Sequence, residues 1–289
     1  MHFGMIPINV GDMARPERIS ALARKAEALG LESLWTFEHV LVPLQYESKY
    51  PYNASGKMNA TPDTPFIDPL LALTFAAAHT QRIRLGTGVN ILSQTNPMLL
   101  AKQAASLDQL SGGRLMLGLG VGWLREEFQV MGAPFERRGA RADDYIAAMK
   151  KVWSGEVVEH ESGFLRWHGF KSLPMPVQRP HPPLVIGGES PAALRRVARF
   201  GDGWFAVGRK PEQLTVDIAA IHRQAREFSR DPSRIEISLF WTRPHEGAEV
   251  IRGYEKMGIS RLIAPWQMVD KTDPFAAAEK LAELKKQVG

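Results

Sequence analysis

The stretch Arg114-Leu-Met-Leu-Gly-Leu-Gly-Val-Gly-Trp-Leu-Arg-Glu-Glu127 decides how the rest of the 289-residue chain is read. Leu115 to Leu117 are an apolar run of strand type. Gly118, Gly120 and Gly122 permit a tight turn and a close approach of backbone to ligand, and Leu124, Phe128 and Met131 open a stripe at helical spacing. A strand feeding a helix through glycines presents backbone N–H groups at a helix start, which suits a phosphate or the polar edge of a cofactor. The same pattern also describes a strand-to-helix turn that binds nothing. A dinucleotide fingerprint is not met, because Trp123 stands where that motif needs glycine.

On the N-terminal side, His2 to Ile8 is a short apolar strand. Pro16 starts a helix marked by Ile19, Leu22, Ala23, Ala26 and Leu29 and closed by Gly30, and Leu31 to Phe37 is a second apolar run. Strand, helix and strand in close succession make adjacent parallel strands. Residues 40–66 lose all periodicity and are rich in Pro, Tyr, Asn, Ser and Lys, the character of a lid over a site or of a disordered segment. Helical spacing returns from Asp68 to Ala77, a third strand runs from Ile83 to Asn90, and a helix from Pro97 to Leu110 stops at Ser111-Gly112-Gly113. Arg114 to Leu117 is then the fourth strand.

On the C-terminal side a helix spans about Ala140 to Val152, and residues 154–183 break the rhythm with a hairpin and a proline-rich bridge. Leu184–Ile186, Gly203–Val207, Ile235–Trp241 and Leu262–Pro265 supply strands five to eight, with helices near 193–200, 214–228, 246–257 and 274–288. This alternation, without linker composition, predicts one α/β domain over residues 1–289. The expected fold is a single (β/α)8 TIM barrel with 154–183 inserted between the fourth helix and the fifth strand. Such barrels bind ligands at the C-terminal ends of their strands. Glu38-His39, Gly88-Val89-Asn90, Gly118 to Glu126 and Gly187 to Ser190 all follow strands, so the fold brings them to one mouth.

Composition narrows the chemistry. With no cysteine, disulfides, thiolate metal sites and cysteine nucleophiles are excluded, and the N-terminus shows neither a signal peptide nor a membrane-spanning run. A cytoplasmic protein with a small-molecule substrate is expected, without a membrane partner. The net charge of +5 includes arginine clusters at 137, 138 and 141 and at 195, 196 and 199, but acidic residues are interspersed and no nucleic-acid motif occurs. Those clusters read as solvated helix faces or as attraction for an anionic small molecule. The histidines show no metal-ligand spacing, so no metal is expected, and no Gly-x-Ser-x-Gly elbow is present.

Among single residues, His39 is the candidate proton donor or acceptor, since imidazole titrates near neutrality and Glu38 offers a polar neighbour; a packed loop histidine is the alternative. Gly187-Gly188-Glu189-Ser190 before Pro191 suits a phosphate at a helix start and equally suits a plain helix cap at Ser190. Trp35, Tyr46, Trp123, Trp204 and Trp241 could stack on a planar ligand or belong to the core.

Nearly the whole chain resembles the bacterial luciferase-like flavin and deazaflavin oxidoreductases. The resemblance rests on Leu34 to Val40, Arg84 to Val89, Asp108 to Trp123, Ile186 to Pro191 and Gly201 to Trp204. Glu38-His39-Val40 looks like the branch that uses coenzyme F420, where the acidic residue and histidine face the deazaflavin. That resemblance implies an F420-dependent oxidoreductase moving a hydride between the deazaflavin and an organic substrate, with His39 and Glu38 catalytic. The implied cofactor-binding set is Glu38, His39, Gly88, Val89, Asn90, Gly120, Gly122, Glu126, Gly187, Gly188 and Ser190. Within it, Gly88-Val89 matches a non-prolyl cis peptide behind the ring system, and Gly187, Gly188 and Ser190 match the phosphate-binding segment. A homodimer is also implied. Trp123 stands where the sugar-phosphate dehydrogenases of the branch carry a catalytic Glu, which points away from glucose-6-phosphate and toward a bulkier or more apolar substrate. Relatives of the same fold offer two alternatives: an FMN-dependent monooxygenase using reduced flavin and O2, and a barrel that binds flavin or deazaflavin without catalysis.

Overall fold

The computed structural model describes residues 1–289. Its strands are β1 (His2–Ile6), β2 (Ser33–Thr36), β3 (Arg84–Thr87), the short β4 (Asn90–Ile91), β5 (Leu115–Gly120), the pair β6 (Val158–Glu161) and β7 (Arg166–Phe170), then β8 (Leu184–Gly187), β9 (Gly203–Ala206), β10 (Glu236–Phe240) and β11 (Ile259–Pro265). The strands of the main sheet pair in parallel in the order β3-β2-β1-β11-β10-β9-β8-β5, and pairing of β3 with β5 closes it into an eight-stranded barrel. Parallel strands covered on both faces must be apolar throughout, which is why these segments read as runs rather than alternations. No helix is long and apolar enough to cross a membrane.

Around the barrel lie α1 (Pro16–Ala28), α2 (Pro69–Ala78), α3 (Pro97–Leu110), the short α4 (Arg125–Val130), α5 (Arg138–Val152), α6 (Pro191–Phe200), α7 (Pro211–Glu227), α8 (Ala248–Lys256), the single-turn α9 (Trp266–Val269) and α10 (Pro274–Val288). Proline opens α1, α2, α3, α6, α7 and α10, where its missing N–H costs nothing, and Asp68, Asn96, Ser190 and Asp273 cap four of them with side-chain oxygens. The antiparallel β6–β7 hairpin leaves the barrel between α5 and β8. It is fastened to α5 by His160, whose Nε2 lies 2.9 Å from Asp144 Oδ1 while its ring stacks on Trp167.

Ile6, Trp35, Met116, Val185, Phe205 and Ile263 fill the barrel interior as a small cluster separate from the large sheet–helix core. Trp35 takes so much room that a Cβ on Gly86 would come within 2.3 Å of its ring, and its Nε1 donates to Ser33 Oγ at 2.8 Å. At the N-terminal end of the strands, buried Arg261 donates two hydrogen bonds of 2.7 Å to the Glu32 carboxylate and one of 2.9 Å to Ser238 Oγ, with Glu236 at 3.2 Å. That network closes the floor.

Two strand readings change in ways that matter for the site. The third strand does not run unbroken from Ile83 to Asn90: β3 ends at Thr87, a cis Gly88-Val89 peptide follows, and pairing resumes as β4. The fourth strand extends beyond Leu117 to Gly120, so Gly118 and Gly120 lie within β5 rather than in a turn. A Cβ at Gly118 would sit 1.7 Å from Thr87 O, and one at Gly120 would meet Val89 Cγ2 at 2.6 Å. The reason for glycine at both positions is therefore the neighbouring segment 87–89. Only Gly122 (φ +77) has the backbone conformation of the expected turn.

Candidate active site

The C-terminal mouth has an apolar base. Phe37, Val89, Val207 and Phe240, at the ends of four different strands, lie half-buried on the interior cluster, with the Phe240 ring tilted against those of Phe37 and Phe205. Val89 occupies the centre of one side, reaching the open Cα positions of Gly118, Gly120 and Gly187. Asn9 secures this side of the mouth: its amide donates to Phe37 O (2.8 Å) and Ile67 O (2.7 Å), and its Oδ1 accepts from Phe37 N–H.

Glu38 and His39 point to different partners, as successive residues of an extended segment must. The Glu38 carboxylate accepts from Asn90 Nδ2 at 2.8 Å and from the Ile91 N–H, so two predicted site residues, Glu38 and Asn90, meet directly. Burial raises the Glu38 pKa to about 7. The Ile91 and Asn90 hydrogen bonds pull against that, and the nearby Glu127 charge adds to it. Asn90 Oδ1 is buried beside this carboxylate with no protein partner.

His39 Nδ1 lies 2.9 Å from Glu127 Oε2. Its ring is held edge-on between Phe66 and Trp123, with centroids 5.6 and 6.1 Å away. Nε2 makes no protein hydrogen bond and is not sealed from solvent. Glu127 is almost fully buried, and its other oxygen accepts the N–H groups of Val40 (2.6 Å) and Leu41 (3.3 Å).

Glu126, the predicted cofactor-facing acid of this turn, is turned elsewhere. Its Oε1 accepts from Glu47 N–H (2.7 Å) and Ser48 N–H (3.1 Å), so it faces segment 40–66. Glu127 takes the place beside His39 because residues one apart on a helix differ by about 100°. Buried Phe128 packs on Gly122 and Phe135 and sets the phase of α4. Nothing in the sequence distinguishes two consecutive glutamates; only the position of Phe128 as the core-facing residue hinted at the phase.

Segment 40–66 arches over the mouth without helix or strand. Tyr46 and Tyr50 pack against Trp123 at 5.7 and 5.1 Å, and Tyr52 against Tyr50. The Tyr50 hydroxyl is pushed up in pKa by burial and by the Glu189 carboxylate, which places this end of the arch near the β8 turn. The segment returns at Phe66, bridged to Val10, with Gly11 N–H bonded to Pro65 O.

At that β8 turn, Gly188 has φ +109 and gives its carbonyl to Trp204 Nε1. Ser190 Oγ accepts from Ala193 N–H at 3.2 Å and caps α6. Glu189 accepts from Val207 N–H, and burial raises its pKa. Gly187, Gly188 and Ser190 thus reach the same mouth as Glu38 and His39, with Ser190 Oγ already used as the cap. Of the aromatic candidates, Trp35, Trp204 and Trp241 are core, whereas Tyr46 and Trp123 border the mouth.

The chain belongs to the luciferase-like monooxygenase family, whose model matches residues 1–252. It is 34% identical over 260 residues to an uncharacterized protein of Mycobacterium tuberculosis, covering 88% of each chain. Its fold is shared with a monooxygenase from Streptomyces bottropensis (TM-score 0.78, 23% identity, 98% of each chain). It is shared likewise with an F420-dependent secondary alcohol dehydrogenase solved with an F420–acetone adduct (TM-score 0.79, 16% identity, 100% and 99% of the two chains). Members of the family are oxidoreductases and monooxygenases that use F420 or flavin.

The residues at the mouth suit a flat redox ring on their own chemistry. An apolar base of Phe37, Val89, Val207 and Phe240 suits a flat face, and the orphaned Asn90 Oδ1 suits a ring-edge donor. Gly188 and the start of α6 suit an anionic group on the other side.

Proposed function

We propose that this chain is an F420-dependent oxidoreductase that moves a hydride between the deazaflavin and an organic substrate, with His39 as the proton partner. The observation carrying this reading is the imidazole itself: clamped between two aromatic edges, bonded through Nδ1 to a buried glutamate, and free at Nε2 in the mouth. When bound, F420 supplies two-electron hydride exchange and lacks the flavin nitrogen at which reduced FMN activates O2. Phe37, Val89, Val207 and Phe240 support the ring, Glu38 and Asn90 form its polar border, and Gly187, Gly188 and Ser190 hold the phosphate. Segment 40–66 excludes water from the reacting centre.

One observation favours a second reading, an FMN-dependent monooxygenase. Two arginines near the mouth are paired with carboxylates, Arg209 with Asp217 at 2.8 Å and Arg125 with Glu136 at 2.5 Å, which leaves less free positive charge for the acidic tail of F420. Absorbance titration with F420 and with FMN separates the two, and tighter FMN binding would overturn the lead reading. His39→Ala is expected to lower F420-linked turnover by about a hundredfold or more with cofactor affinity unchanged. Retained affinity with no turnover in the parent on any substrate would instead mark a binding barrel.

A further inference from the structure

We propose that Glu126 and Glu127 clasp segment 40–66 at two points, and that Glu127 in doing so fixes His39 in the tautomer that carries its hydrogen on Nδ1 and leaves Nε2 bare toward the mouth. The catalytic use of that bare nitrogen rests on the reading above; the tautomer and the clasp do not.

A carboxylate only accepts hydrogen bonds, so a neutral imidazole 2.9 Å from Glu127 Oε2 must present Nδ1–H to it. The other oxygen, Oε1, is committed to the N–H groups of Val40 and Leu41, so the carboxylate cannot rotate without releasing the first residues of the arch. Phe66 and Trp123 meet the ring nearly at right angles, 82° and 86°, and oppose the half-turn that would put Cδ2 in place of Nδ1 against Glu127. One helical position earlier, Glu126 accepts from Glu47 and Ser48, while Ser48 Oγ accepts from Arg125 N–H at 3.1 Å. Residues 40–41 and the imidazole therefore share one fastener, and residues 47–48 have their own. Opening the first frees the ring, whereas opening the second does not. Glu127 is thus a positioning residue for His39.

Substitution by glutamine gives a sharp test. In Glu127→Gln the side-chain oxygen still accepts from Val40 and Leu41, but the amide nitrogen now donates toward His39, so Nδ1 must become the acceptor and the hydrogen must move to Nε2. In cofactor-free protein labelled with 15N at histidine, with His39 assigned by the signals lost in His39→Ala, the parent ring at a pH where it is neutral should show the Nδ1–H pattern. Glu127→Gln should show the reverse, with amide exchange at 40–41 unchanged. Glu126→Ala should speed exchange at 47–48 at least tenfold and leave the His39 pattern alone. A parent ring carrying its hydrogen on Nε2 would overturn the proposal without any variant. So would a Glu127→Gln ring identical to the parent's, or loss of the His39 pattern on freeing only residues 47–48. In the F420 assay, Glu127→Gln should lower kcat tenfold or more with KM within twofold. A reversed tautomer with kcat unchanged leaves the clasp standing and removes His39 from the proton transfer, so the two failures are told apart.

Discussion

The two ends of the barrel use the same side chains to opposite effect. At the floor, burial works to raise the pKa of Glu32, but the Arg261 hydrogen bonds and charge outweigh it and hold the group below its usual value. Glu27 there accepts three successive N–H groups, from Gln81, Arg82 and Ile83. At the mouth, Glu38 has no cation beside it, and burial lifts it to about 7; Glu189 is raised too, burial outweighing the Val207 hydrogen bond and the Arg209 charge. A paired, lowered glutamate stabilises the closed sheet, whereas a desolvated one is poised to change charge near neutrality. The difference distinguishes Glu38 from Glu32 without reference to any ligand.

That contrast can be broken most severely at the floor. Arg261→Met leaves Glu32 buried and uncompensated, and is expected to cost about 3–5 kcal/mol in denaturant unfolding. No comparable loss is expected for His39→Ala at the mouth. The pH dependence of stability sharpens it next. Because Glu38 titrates near 7 in the folded chain and at the ordinary 4.5 unfolded, its contribution is full below about pH 4.5 and is lost as pH rises through 7. Glu38→Gln should abolish that slope, a difference of about 1–3 kcal/mol between pH 4.5 and 8 read from denaturant midpoints. A parent curve flat over this window would refute the raised value.

Packing offers a smaller test. Gly120→Ala places a Cβ 2.6 Å from Val89 Cγ2 and should destabilise by about 1–3 kcal/mol, largely recovered when combined with Val89→Ala. An additive double variant would mean that Val89 does not fill that space. Smallest is Ser190→Ala, which removes the α6 cap at a cost of about 1 kcal/mol while the barrel floor is untouched.

Much of this was legible in the residues. Apolar runs separated by Pro-opened, Gly-closed helical stripes located every barrel strand, and because parallel strands share one C-terminal end, Glu38, His39, Asn90 and the Gly187 to Ser190 turn could be assigned to a common mouth. Less legible was what each glycine is for. Gly118 and Gly120 look like turn residues because Gly-x-Gly-x-Gly spacing carries no information about the chain beside it, and that chain is Thr87 to Val89. Trp35, Trp204 and Trp241 likewise could not be sorted from Trp123 by sequence, since an aromatic at a strand end faces the interior, the helices or the mouth according to strand tilt and register.

The sequence by itself determined the closed α/β barrel and the end at which chemistry gathers, because these follow from hydrophobic period and from the order of elements along the chain, while its motifs carried the family resemblance. Tertiary structure alone decided that Glu127 rather than Glu126 meets His39, that Val89 fills the space the glycines leave, and that Glu38 is raised while Glu32 is lowered. Each of those depends on distances between segments far apart in the chain, and on how much water those segments exclude.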